Sequence, residues 1–318
     1  MIHPHVIVTI ARCEARLLWR SGAFRLSIGF AVFILFFYNI IMNAPGTNAA
    51  HVFIALPGGL PLGNVKLLNL YLGVVSAFLA TEFIKRDRQQ DTVQTVLVHS
   101  FTNLDYVFGK VLGVVTVFAT LEVVVLIVAG VLQYFFALAP MSWQPYAMAI
   151  FVAALPTLVF TVGLAVLLVT VLRSQALVFV IMVGLGMLTL MVLGHRYHYF
   201  FDTFAFHIPL MWSDFIGVGN EDQLLLVRGT HLLFGLGCIA ITPLFSSRLP
   251  QSRWANSATA LTAIACLTGA AWTATTYWNS RWDAQQYRDT MRATSEQAAA
   301  LAAPTIRRCQ LQVEHIER

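Results

Sequence analysis

The stretch EFIKRDRQQDTVQTVLVHSFTNLDYVFGK, residues 82–110, is the most polar part of the first half of the chain, and long apolar segments flank it. Because the 318 residues are 58% hydrophobic and only 11% charged, their apolar side chains cannot all be hidden inside one soluble core. A hydrocarbon layer about 30 Å thick is crossed by about 20 apolar residues in a helix, and such windows recur along the chain. The sequence therefore predicts an all-α, polytopic membrane bundle in which residues 82–110 join two spans.

Seven apolar segments are long enough to cross a membrane. They are residues 24–43, 67–84, 106–137, 146–172, 176–194, 228–246 and 256–277. The third is too long for one straight span and has Lys110 near its start, Glu122 within it and Gln133 near its end. This pattern predicts a tilted helix that protrudes from the membrane.

Basic residues near the span ends predict the orientation, because Lys and Arg in short loops stay on the cytoplasmic side. With the N-terminus inside, the inner basic residues are Arg12, Arg16, Arg20, Arg25, Lys85, Arg86, Arg88, Lys110, Arg173, Arg248 and Arg253. The outer ones, before the C-terminal tail, are only Lys66, Arg196 and Arg228. The asymmetry predicts a cytoplasmic N-terminus and an extracytoplasmic C-terminus.

The residues before the first span have the pattern of a helix that lies in the membrane interface. Arg12, Arg16 and Arg20 are four residues apart, so they share one face. The apolar residues available for the other face are Ile7, Ile10, Leu17, Leu18 and Trp19. Residues 1–23 therefore predict an amphipathic interfacial helix. The alternative is a simple helical extension of the first span.

The opening stretch itself has helical periodicity. Its apolar face holds Val93, Val96, Leu97, Phe101 and Leu104, and its polar face holds Arg88, Gln89, Gln90, Gln94, Thr95 and His99. Thr102 and Asp105 form a capping pattern where the third span begins, and Gly109 and Gly113 would let another helix approach closely there. Residues 88–101 thus predict a short cytoplasmic helix that could dock into a partner's groove. The alternative is a charged helix lying on lipid head groups.

These residues resemble the permease subunits of ABC exporters of the type-2 class. In that family a charged turn of the pattern E-x-x-x-R-D-x-x-x-x-T precedes a short coupling helix, and N-x-x-x-x-x-G-K opens the next span. The matching residues here are Glu82, Arg86, Asp87, Thr92, Asn103, Gly109 and Lys110. The resemblance covers roughly residues 5–250 and implies a six-span permease layout, plus a seventh span. We therefore expect the chain in the bacterial inner (cytoplasmic) membrane.

The resemblance also implies the partners. The coupling helix of the family contacts separate ABC ATPase subunits; the residues expected at that contact are Val93, Leu97 and Phe101, with Arg86, Arg88 and Asp91 as a polar rim. A P-loop needs G-x-x-x-x-G-K-[ST], and Gly109-Lys110 is followed by Val111. ATP and Mg²⁺ would then be bound by the partner ATPase, with no cofactor in this chain and no enzyme activity of its own. A second permease half, identical or different, and membrane lipid are the other expected partners; nucleic acid is not expected.

Two hypotheses from other functional classes stay open. Glu122 is the clearest ionisable residue inside a span, and such residues are costly there, which would suit an ion-coupled carrier. His195, His198 and His207 lie in an outer loop, with His231 in the next span, and could serve a membrane-bound metal- or haem-dependent enzyme. The many aromatic residues around these histidines are typical of an interfacial belt.

The tail continues the helical pattern beyond the seventh span, because no Gly or Pro occurs between residue 278 and Pro304. Residues 309–314 then alternate like a half-buried strand. The pattern P-x-I-x-x-x-x-L-x-V-E at Pro304, Ile306, Leu311, Val313 and Glu314 resembles the junction in fusion proteins that join a type-2 ABC permease to an aminopeptidase-like domain. The predicted organisation is an interfacial helix (1–23), a six-span permease domain (24–250), a seventh span (251–278), and an extracytoplasmic helix with the start of a strand (279–318).

Overall fold

The structure is a computed structural model. It describes residues 3–43, 58–87, 102–136, 141–210, 212–213, 217–245 and 253–299. Within these residues, seven helices are long and apolar enough to cross a membrane. The chain is a multi-pass membrane protein with an all-α bundle fold, as the sequence predicts.

Nine α-helices follow one another in the described residues. They are α1 (Pro4–Arg20), α2 (Gly22–Asn43), α3 (Gly59–Asp87), α4 (Asn103–Phe136), α5 (Gln144–Met148), α6 (Leu155–Leu172), α7 (Gln175–Leu188), α8 (Glu221–Phe245) and α9 (Arg253–Ala299). A π-helical turn, Ala149–Ala154, joins α5 to α6, and a second, Thr189–Leu193, extends α7. Two short strands, β1 (Trp212–Ser213) and β2 (Gly217–Val218), pair antiparallel. The chain divides into two compact units, Met1–Thr275 and Thr276–Arg318.

Two helices begin earlier than the apolar segments predict. The predicted spans begin at residues 67 and 228, whereas α3 begins at Gly59 and α8 at Glu221, so Lys66 and Arg228 lie inside helices. The side of the membrane on which they lie stays a prediction. The physical reason is that their charges are satisfied within the protein, as the Lys66 Nζ donating to the Ile208 carbonyl at 3.0 Å shows. Every charged residue lowers the mean hydropathy, so a span predicted from hydropathy ends before such residues.

Helix α6 is the centre of the first unit and packs against α3, α4, α7 and α8. Its contact with α8 is close because glycines meet there. A Cβ atom added to Gly235 would lie 2.6 Å from the Val159 carbonyl oxygen, so the backbones themselves touch. Such close approaches of small residues are how helices associate where no water drives them together.

The N-terminal segment is a helix of its own. Ser21 has extended backbone angles, φ −64° and ψ 131°, which end α1 before α2 begins at Gly22. Helix α1 packs against α4 and buries Ala11, Glu14 and Leu18, whereas its arginines at positions 12, 16 and 20 are exposed. The amphipathic helix is therefore separate from the first span; its place in the membrane interface stays a prediction.

The glycine pair of α4 faces α1. A Cβ atom on Gly113 would lie 2.7 Å from the Ala11 carbonyl oxygen, and one on Gly109 would lie 2.7 Å from the Ile10 Cβ. The close helix approach predicted for these glycines is confirmed, and the helix that approaches is α1.

Helix α9 has 47 residues. At about 1.5 Å per residue it is roughly 70 Å long, more than twice the thickness of the hydrocarbon layer. The predicted continuation of the seventh helix beyond its apolar part is confirmed as far as Ala299. The predicted strand at 309–314 lies outside the described residues.

The close packing of α1 on α4 is testable at Gly113. We expect Gly113→Ala to lower the free energy of unfolding by about 1–3 kcal/mol, because the new methyl group meets backbone that must shift. The matched control is Gly184→Ala in α7, where nothing lies within 4 Å of the new Cβ. There the better helix propensity of Ala should raise stability by up to about 1 kcal/mol. Unfolding in mixed detergent micelles measures both, and equal effects would contradict the packing.

Candidate functional site

The first turn of α4 is fixed by a reciprocal cap. The Asp105 N–H donates to the Thr102 Oγ1 at 3.1 Å, and the Thr102 N–H donates to the Asp105 Oδ2 at 3.3 Å. This is the geometry of a capping box, with Asp in the place of the usual Glu. The capping pattern predicted from the sequence is confirmed, and the cap residue Thr102 directly follows the predicted coupling segment, residues 88–101.

The same carboxylate holds the start of α1. The His3 N–H donates to the Asp105 Oδ1 at 3.1 Å, and the His3 Nδ1 lies 3.3 Å from the Asp105 Oδ2. Asp105 itself is fully buried. The beginning of α1 and the beginning of α4 are therefore joined at one acidic side chain; we refer to this region as the α1 end of the bundle.

A buried ion pair further along the same two helices reinforces that junction. The Lys110 Nζ lies 2.8 Å from the Glu14 Oε2, and their side chains are only 8% and 2% exposed. A charge buried in this way is costly without its partner, so the two residues hold α1 and α4 in one relative position. Lys110 belongs to the Gly-Lys pair that carries the family resemblance, whereas Glu14 had no signal of its own in the sequence.

The predicted ATPase contact lies mostly outside the described residues. Arg86 is in the last turn of α3, and Arg88, Asp91, Val93, Leu97 and Phe101 fall in the part of the chain that the structure does not describe. What the structure does describe are the two attachments of that segment, the end of α3 at Asp87 and the capped start of α4. The coupling residues themselves stay a prediction.

Glu122 is buried in the middle of α4. It is 1% exposed, and within the described residues neither carboxylate oxygen has a hydrogen-bond partner. The neighbouring Phe118, Leu121 and Val125 belong to the main apolar core. Ionisable residues inside a membrane are rare and mark functional sites, so Glu122 remains a candidate site for an ion-coupled carrier.

A second orphaned polar group lies on α3, which packs against α4. Asn69 is fully buried, and neither of its amide atoms has a hydrogen-bond partner in the described part of the chain. Sequence reasoning missed this residue, because one Asn within a long apolar segment carries no pattern. Its neighbours Leu68 and Leu72 belong to the same apolar core as Phe118.

The opposite end of the bundle, which we call the loop end, is organised around Arg228. This guanidinium is 1% exposed and donates to the carbonyls of Val152 and Ala153, both at 2.9 Å, and to the Thr157 Oγ1 at 2.6 Å. The Val152 carbonyl would normally accept from the N–H of residue 156, which is Pro156 and has none. Arg228 thus places a buried charged donor on the carbonyls of the π-helical turn before α6.

Arg228 also holds the loop before α8. Its Nη1 donates to the backbone carbonyls of Asp202 and Thr203, at 3.1 and 3.3 Å. The buried Asp202 carboxylate in turn accepts the backbone N–H groups of Phe206, His207 and Ile208, at 3.1, 2.7 and 2.7 Å. One arginine and one aspartate therefore fold residues 202–208 back onto the bundle.

We call the contacts that Arg228 and Asp202 make with this loop the clamp. The same loop contains strained backbone. Tyr197, His198 and Tyr199 have φ angles of 51°, 56° and 65°, and Ala205 has a φ of 53°. Each residue with a side chain in the left-handed region costs about 1–2 kcal/mol. Such a run persists only where the surrounding contacts fix it, and the Asp202 N–H donates to the Tyr199 carbonyl at 3.2 Å.

The histidines of the rival hypothesis are only partly brought together. The rings of His195 and His207 have centroids 5.7 Å apart, and the His207 Nε2 lies 3.0 Å from the Leu190 carbonyl oxygen. His231 is buried, with its ring 5.4 Å from that of Phe160. In the described residues, no group of three or more His, Cys, Asp or Glu side chains is arranged to hold a metal ion.

An apolar groove of about 490 Å³ lies between α2 and α4. Its polar edge is a pair of amides: the Asn39 Nδ2 donates to the Asn64 Oδ1 at 2.7 Å, and the Asn64 Nδ2 donates to the Asn39 Oδ1 at 3.2 Å. The volume lies in the range of roughly 300–1,000 Å³ typical of small-molecule sites. The groove suits an apolar molecule with a polar end.

Comparison with protein-family models, with curated proteins and with solved structures found no match. The function must therefore be argued from the geometry at the two ends of the bundle and from the sequence pattern between α3 and α4.

The clamp at the loop end predicts that replacing Arg228 lowers stability far more than replacing Arg196. We expect Arg228→Met to lower the free energy of unfolding by about 3 kcal/mol, because it removes a buried charged donor that the carbonyls of Val152, Ala153, Asp202 and Thr203 share. The same change at Arg196, which is exposed in the neighbouring loop, should alter stability by no more than about 0.5 kcal/mol. Detergent unfolding gives both values, and limited proteolysis should cut residues 195–210 faster in Arg228→Met alone. Similar stability of the two variants would show that the clamp is not needed.

Proposed function

We propose that the chain is the membrane permease component of an ATP-driven ABC exporter, in which a separate ATPase acts on residues 88–101. The observation that carries the proposal is the α1 end of the bundle. Residues 88–101 lead directly into a capped helix start that is tied to α1 by the contact of His3 with Asp105 and by the buried pair of Glu14 and Lys110. A segment attached in this way passes its displacement to two helices at once.

The rigidity of this junction follows from its chemistry. Moving α4 without α1 would separate a buried carboxylate from a buried ammonium group, which costs about 3–5 kcal/mol when one partner is lost. The glycine contacts leave no space for sliding, because the helix backbones already touch at Gly113. Helix α4 has 34 residues and is about 51 Å long, so a push at its start reaches the far side of the membrane.

The charge distribution supports the cytoplasmic side for this segment. Two of the three basic residues first assigned to the outer side, Lys66 and Arg228, are bonded inside the bundle and do not lie in loops. Arg196 is the one that remains exposed in a loop. By the same criterion Lys110, paired with Glu14 inside the bundle, leaves the inner count. The remaining Lys and Arg are still more numerous at the α1 end, and the rule for such residues favours the cytoplasm there.

The proposal assigns the nucleotide chemistry to other polypeptides. ATP and Mg²⁺ belong to the ATPase subunits, and a second permease half completes the transport path. The contact residues are Val93, Leu97 and Phe101, with Arg86, Arg88 and Asp91 around them. Closure of the ATPase pair would push this segment, displace α1 and α4 together, and open the path on the other side.

The coupling contact is tested by placing a charge on its apolar face. Leu97→Asp should reduce the ATPase retained by the tagged full chain, and the ATP hydrolysis of the purified assembly, at least about tenfold, because a carboxylate is not tolerated in an apolar groove. His99→Asp is the matched control, since it adds the same side chain on the predicted polar face and should keep both. Unchanged hydrolysis in Leu97→Asp, or no ATPase retained by the unmodified chain, would contradict the proposal.

The carrier hypothesis remains the second candidate, because Glu122 is a buried carboxyl group without a partner among the described residues. It predicts that the chain alone, in vesicles, dissipates an imposed proton or sodium gradient and that Glu122→Gln stops this flux. The permease proposal predicts no such flux from the chain alone and unchanged ATP hydrolysis in the Glu122→Gln assembly. The two functions therefore differ in one experiment on the same variant.

A further inference from the structure

The last part of α9 is a helix whose side chains have few contacts. From Trp282 to Ala299 almost every residue is exposed, including Tyr287 at 67% and Met291 at 53%. We call residues 280–299 the stem. A helix that is exposed on all sides in isolation either stands in water or meets a partner along one of its faces.

One face of the stem has the spacing of a helix pair. The residues at successive steps of three and four are Ser280, Ala284, Tyr287, Met291, Thr294 and Ala298. This alternation of three and four is the seam of a two-stranded coiled coil, in which helices pack along every third and fourth residue. The small Ala284 alternates with the large Tyr287 and Met291, which lets facing side chains interlock.

The opposite face of the stem is polar. It holds Gln285, Gln286, Asp289, Arg292 and Glu296. Trp282 also lies on this side, in the part of the stem nearest the apolar segment, where Trp is typical of the membrane interface. The stem is thus divided into a polar face and a stripe of small and apolar residues.

Two charges beside the stripe indicate what covers it. Asp283 lies on one side of the stripe and Arg288 on the other, and neither makes an ion pair within the described residues. They are five residues apart, so they do not face each other on one helix, where partners are three or four apart. In a parallel pair of helices, however, a residue at this position faces the residue five places later on the other helix. Asp283 therefore complements Arg288 of an identical helix.

We propose that the stems of two copies of this chain pair in parallel and in register, with Ala284, Tyr287 and Met291 in the seam and Asp283 of each copy beside Arg288 of the other. The parallel direction follows from insertion, because two copies of one membrane protein cross the bilayer in the same sense. The stripe is short for a coiled coil in free solution. Membrane attachment compensates for this by confining both copies and raising their effective concentration.

The inference goes beyond the proposed function, which leaves open whether the second permease half is identical or different. Pairing of identical stems makes the assembly a homodimer with a two-fold axis along the stems, and each pair contributes two equivalent Asp283–Arg288 contacts. The pairing needs no ATPase, so it can be tested independently of the coupling contact.

The seam is tested by disulfide formation in the full chain. In a background with Cys13, Cys238, Cys266 and Cys309 replaced by Ser, single cysteines are placed at Ala284 or Met291, and the controls are Gln285→Cys and Gln286→Cys. Mild oxidation in native membranes should give at least about fivefold more covalent dimer from the seam positions, because a disulfide needs Cβ atoms about 4 Å apart. Equal yields at all four positions, or higher yields at the controls, would overturn the proposal.

Charge exchange tests whether the partner is an identical stem. In the Ala284→Cys background, Asp283→Arg should reduce the dimer yield several-fold because two positive charges then face each other. Adding Arg288→Asp should restore it, whereas Asp289→Arg on the polar face should leave it unchanged. Failure of the double exchange to restore the yield would show that another molecule covers the stripe. Leu97→Asp should not alter any of these yields, which separates this result from the test of the coupling contact.

Discussion

The loop end of the bundle depends on one constraint: inside a membrane, a backbone carbonyl without a donor cannot turn to water. Pro156 creates such a carbonyl at Val152, and the π-helical turn before α6 brings the Ala153 carbonyl beside it. Arg228 satisfies both and uses its remaining N–H groups on the loop that begins near Asp202. One side chain therefore joins the π-helical turn before α6 and the loop at residues 202–203 to α8.

The α1 end uses the same physics with a different result. There the buried groups are two opposite charges, Glu14 and Lys110, and the partner of each lies on the other helix. A pair of this kind adds little net stability compared with apolar residues, but it allows only one arrangement of the two helices. The loop end thus secures an irregular backbone, whereas the α1 end secures a fixed geometry between α1 and α4.

Sequence patterns predicted the features that depend on neighbouring residues. Hydropathy identified all seven long helices, and local spacing identified the cap at Thr102 and the close approach at Gly113. The patterns did not predict the places of residues whose contact partners are distant in the chain. Arg228 was assigned to a loop because its acceptors on Val152 and Asp202 come from parts of the chain 76 and 26 residues away. Glu14 and Asn69 carried no signal for the same reason.

The apolar core between these two ends is flanked by two buried polar residues without hydrogen-bond partners among the described residues. Asn69 on α3 and Glu122 on α4 are buried in the same apolar core without hydrogen-bond partners among the described residues, and each such group costs free energy in the closed bundle. A transporter must have one helix contact that opens at low cost, because both of its states must be populated. Helices α3 and α4, which carry these two residues, pack against each other. On the proposed function, a push on the segment that joins α3 and α4 would act first on the two helices that carry these unpaired groups.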